Sequence, residues 1–138
     1  MSPLHFQAEK PAIPVVTVGV HRSTVVATSS IFAGTPFSQT AIMDLKESPE
    51  QYRYSAHNLG VVLHALHPRP QVLVTGTAVG ELVDEVERVW DEYVEGVLKV
   101  EGVEKAAYVP LSDFHSSDGP PPPGTVEYLM DKLQETFG

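Results

Sequence analysis

Between residues 38 and 111 the apolar pattern changes period four times, and no other feature of the chain restricts the fold as much. SQTAIMDL (38–45) reads as a strand by composition. Ser48-Pro49-Glu50 is a helix-start signal that opens a short turn before a main helix at 54–67. Leu59, Val62, Leu63 and Leu66 share one side of that helix, and Pro68 and Pro70 stop it. QVLVTGT (71–77) is a near-continuous apolar run, the form of a strand covered on both faces. From 79 to 98 an apolar stripe (Leu82, Val83, Val86, Val89, Trp90, Tyr93, Val94, Val97) faces a set of acids, which predicts a long amphipathic helix. KAAYVPL (105–111) closes the series as a strand. Strand and helix alternating in this way yield parallel strands joined by crossover helices.

The segment before 38 has a different character. IPVVTVGV (13–20) and TVVATSSIF (24–32) are both rich in β-branched residues, with a plausible turn at His21-Arg22-Ser23. They predict an antiparallel hairpin. The expected architecture is therefore α/β, bordering on α+β. One mixed sheet would be antiparallel at its N-terminal side and parallel later, with about three helices covering it. A flexible arm at 1–12 precedes a single domain at 13–138. Within that domain a proline-rich loop (112–124) leads to a terminal helix at 125–137 capped by Thr125. Pro120 to Pro123 read as a stiff spacer, or as a polyproline ligand for an aromatic groove.

Composition removes several functions. The chain has 138 residues and no cysteine, so disulfides, thiolate nucleophiles and cysteine-held metals are excluded. Net charge is −9, against the Lys and Arg excess that phosphate-backbone binding needs. The charge is uneven: the first seventy residues carry four acids and five bases, the remainder fourteen acids and four bases. No basic start followed by an apolar core opens the sequence, and no run approaches membrane-spanning length, so the expectation is a soluble cytoplasmic protein.

Candidate chemistry gathers where parallel strands end, since open α/β sheets bind ligands outside their carboxyl edges. Asp44 and Lys46, then Thr75, Gly76, Thr77 and Gly80, then Ser112, Asp113 and His115 would meet there. The Gly76–Gly80 turn offers helix N–H groups to an anion, or simply lets the chain turn tightly; it lacks the lysine of a P-loop. Asp113 and His115 form an acid–imidazole pair or part of an exposed loop. His64 and His67 could share an ion, but His57 lies about 10 Å from His64 along a helix, so these histidines read as a polar outer face with Gly60 permitting close packing. No metal or cofactor is expected. The first two strands lack the carboxylates of a metal-dependent nuclease, and no G-x-S-x-G elbow occurs.

AIMDLKESPEQ…LGVVLHALHPRPQVLVTGTAVGE (41–81) combines a strand, a Ser-Pro turn and a leucine-rich helix. A proline-flanked arginine and an apolar strand ending in Gly-Thr follow, in HPRPQVLVTGT (67–77). This stretch resembles the small domain family that includes mitochondrial complex I assembly factor 3 and its prokaryotic relatives. The resemblance implies an assembly role and offers no catalytic residues to carry over. Two expectations follow. The first is a non-catalytic, self-associating assembly module that meets a protein partner through Asp84, Glu87, Asp91 and Glu95 and through its apolar helix stripes, with neither nucleic acid nor membrane involved. The second is a protein that binds a small anion or nucleotide-like ligand, or a minor enzyme, at the strand-end rim.

Overall fold

A computed structural model describes residues 12–76, 79–111 and 124–138. Four strands run β1 (Ile13–Gly19), β2 (Phe37–Asp44), β3 (Val72–Thr75) and β4 (Ala107–Pro110), and they lie side by side in the order β2-β1-β3-β4. All three neighbouring pairs are parallel. The α/β class stands, but the mixed sheet and its N-terminal hairpin do not.

The segment expected to be the second hairpin strand instead forms α1 (Arg22–Ala27) and a 3₁₀ turn over Thr28–Phe32. Its β-branched residues favour extended structure only weakly, and tertiary context overrides such propensity. Here the context is the parallel register of β1 with β2, which a tight hairpin turn cannot connect. Val25 and Phe32, seven residues apart, are both buried while Val26 is exposed, a helical rather than a strand pattern.

Successive side chains of β1 point to opposite faces and both faces are covered. Val16 and Val18 join Leu73 of β3 under α2 (Ala56–Ala65) and α3 (Val83–Tyr93), where Leu59, Leu63, Val86, Trp90 and Tyr93 complete the core. Val15, Val72, Val74 and Val109 face the other way, against Phe32 and against Leu129 and Leu133 of α4 (Thr125–Phe137). α4 therefore packs on its own sheet, with Phe137 edge-on to Phe37 at 5.5 Å. Gly124, at φ 90°, takes the position before this helix, and Thr125 is its buried first residue rather than its cap.

Local chemistry sets the ends of the other helices. Ser55 caps α2 by accepting from the Asn58 N–H at 3.0 Å. Arg69 donates to the His64 carbonyl near the far end and pairs with Glu101 at 2.9 Å. Tyr93 ties α3 to the entry of β3 by donating to the Pro70 carbonyl at 2.7 Å. Among the described residues no helix is long and apolar enough to cross a membrane.

Two glycines differ in what surrounds them. A Cβ on Gly19 would lie 2.5 Å from Val25 Cγ2, so α1 can approach the end of β1 only because no side chain is there. A Cβ on Gly60, inside α2, would meet nothing within 4 Å, so its expected role in close packing is not what the fold uses. Gly19→Ala should lose about 1–3 kcal/mol by overpacking. Gly60→Ala should gain about 0.5–1 kcal/mol from helix propensity. Urea denaturation of the two variants checks both signs.

Candidate functional site

The strand order brings four strand ends to one rim. Gly19 at the end of β1 is in register with Asp44 on β2, Val18 with Thr75 on β3, and Thr75 with Pro110 on β4. β1 leads to α1 on the face that α4 covers, and β3 leads towards α3 on the opposite face. Chain therefore diverges from the neighbouring ends of β1 and β3. This is the topological switch point at which doubly wound sheets open a crevice. The Gly76 N–H donates to the Val18 carbonyl at 2.9 Å and so holds the two strands together beneath that divergence.

The sequence alone does not place the segment Gly19–Arg22 at this rim, because Gly19 and Val20 read as the end of a hairpin strand and His21-Arg22-Ser23 as its turn. A close Gly–Val contact between strand and helix leaves no local signature. Arg22 is exposed there, as is Lys46 beyond β2, and His21 Nδ1 lies 3.2 Å from Glu47 Oε2.

Asp44 is at the rim but turned to structural use, being only 1% exposed. Its Oδ2 accepts from the Glu47 N–H at 2.6 Å and the Ser48 N–H at 2.8 Å, and its Oδ1 accepts from the Ser48 hydroxyl. Burial pushes the carboxyl up. The hydrogen bonds from Ser48 and Glu47, with the charge of Arg22, outweigh that and hold it below the usual aspartate range. The group thus braces the loop leaving β2.

Thr75 is fully buried with its hydroxyl 3.0 Å from the Tyr108 hydroxyl, so it links β3 to β4. Nearby on the same side of the sheet, Tyr54 donates to Glu85 of α3 at 2.8 Å. Burial first, then that bond to a carboxylate, raises the Tyr54 phenol above its ordinary value, while Arg88 opposes the shift. Gly80 begins a 3₁₀ turn that leads into α3. Of the expected rim set, Thr75, Gly76 and Gly80 come to this edge. Thr77, Ser112, Asp113 and His115 lie outside the described residues, as do the tetraproline and all of the N-terminal arm but Ala12.

Asp84, Glu87 and Asp91 are exposed along α3, and Glu95, exposed in the π-helical turn Val94–Leu98 that follows it, pairs with Lys99 at 2.6 Å. The α4 stripe is spent on the sheet, leaving only Val126 substantially exposed. Among the described residues no group of three His, Asp or Glu side chains is placed to hold a metal ion. Comparison with protein-family models, with curated proteins and with solved structures finds no match to the chain.

Asp44→Ala should destabilise by about 1–3 kcal/mol, because it strands buried donors of Glu47 and Ser48. Since the folded carboxyl titrates below the unfolded value near 3.8, its contribution is complete above that pH and is lost as the pH falls through the folded value. Chemical denaturation of wild type and Asp44→Asn at a series of pH values should show the gap between them closing below about pH 4.

Proposed function

We propose that this protein binds a small anionic or nucleotide-like ligand in the crevice between the carboxyl ends of β1 and β3. The observation that carries the reading is the strand order β2-β1-β3-β4, with the chain leaving β1 and β3 towards opposite faces. Sheets of this order receive ligands at that point because the two connections leave towards opposite faces and open a gap between the strand ends. Exposed Arg22 and Lys46 at the neighbouring strand ends supply positive charge beside it in a chain that is otherwise acidic. Among the described rim residues, His21 is engaged with Glu47, Asp44 with its own loop and Thr75 with Tyr108, which favours recognition over turnover by these groups.

A protein-binding reading draws on a different observation. Asp84, Glu87 and Asp91 are exposed on α3 and have no ion-pair partner among the described residues. That face would suit a basic partner in an assembly role. Self-association through the α4 stripe loses its motive, since that stripe is buried in the protein's own core.

Titration of the isotope-labelled protein with inorganic phosphate and, separately, with adenosine monophosphate tests the first reading. Saturable amide shifts should appear at Gly19–Arg22 and around Gly76, and Arg22→Ala should weaken binding several-fold. Shifts missing from those residues would refute it. Shifts confined to α3 with a lysine-rich peptide would favour the second reading instead.

A further inference from the structure

We propose a second ligand site, independent of the strand-end crevice, in the groove between α2 and α3, suited to a small zwitterion of the amino-acid type. The groove is a shallow, open depression of about 560 Å³ on the surface between the two helices. His57, Gly60, Val61 and His64 line it from α2, at spacings that place them on one face of that helix. Arg88, Val89 and Glu92 line it from α3.

Gly60 leaves open space in the wall of the groove, because a Cβ at this position would have no neighbour within 4 Å. The absent side chain keeps clear the space between His57 and His64 in the wall of the groove.

His64 is held from two sides. Its Nδ1 lies 2.7 Å from the Gly60 carbonyl, which can only accept, so Nδ1 carries the hydrogen and Nε2 is left to a ligand. Its ring stands edge-on to Tyr93 at 5.8 Å. Orientation of one ring nitrogen by a backbone carbonyl is the arrangement that prepares the other for recognition.

The charges define the ligand. Arg88 and Glu92 are one turn apart, a spacing at which opposite charges commonly pair. Neither forms an ion pair with any described residue. A guanidinium and a carboxylate presented side by side complement a ligand carboxylate and a ligand ammonium. Val61, 53% exposed, and Val89 provide an apolar wall for the remainder of such a molecule.

L-Phenylalanine carries both charges and an apolar group, whereas benzoate and phenethylamine each carry one charge. Amide-shift titrations with the three probes should give saturable changes at His57–His64 and Arg88–Glu92, with L-phenylalanine binding at least tenfold more tightly than either half. Gly60→Leu, whose fold is verified by circular dichroism, should abolish the shifts by filling the groove. Arg88→Met should reduce L-phenylalanine to the affinity of phenethylamine. Equal binding of benzoate or phenethylamine, an unaffected Gly60→Leu or Arg88→Met, or no saturable shift at these residues would overturn the proposal.

Discussion

β1 is paired on both edges and buried on both faces, and the rest of the molecule is arranged around that condition. Its backbone bonds to β2 on one side and β3 on the other. Val15 is committed to one core, and Val16 and Val18 to the other. A strand in this position cannot be reached by a hairpin, because parallel neighbours need a crossover. Each connection must therefore include a segment that packs on a face of the sheet. α1 and α4 serve one face and α2 and α3 the other, so the switch point between β1 and β3 follows from the pairing of a single strand.

Much of this was legible in the chain. The apolar run at 72–75 is covered on both faces, as its lack of alternation implied. The stripe through Val86, Val89, Trp90 and Tyr93 is buried, and the terminal helix spans Thr125–Phe137. The failure over residues 22–32 has a definite cause. Val25, Val26 and Ile31 have strand-like propensity, while the decision is made by the pairing of β1 with a strand that begins at Phe37. A local pattern contains no information about that partner.

The site was less legible than the fold for the same reason. Thr75 and Gly76 were placed at the correct edge by a general rule about strand ends, but Gly19–Arg22 entered only once β1 was known to be central. Asp44 looked like a rim carboxylate, and its hydrogen bonds to Glu47 and Ser48 show that it serves the loop. Gly60 looked like a packing device, and the empty space around it shows otherwise. In each case the residue type was informative, while its role depended on neighbours distant in sequence or on their absence.

The central position of β1 is best tested by nuclear Overhauser contacts between strands. Contacts from Val16 to Ala41 on one side and to Leu73 on the other, together with helical contacts across 22–27, are the expected result. Close Hα–Hα contacts between residues 13–20 and 24–32, the signature of an antiparallel hairpin, would contradict the account and remove the crevice on which the proposed function rests.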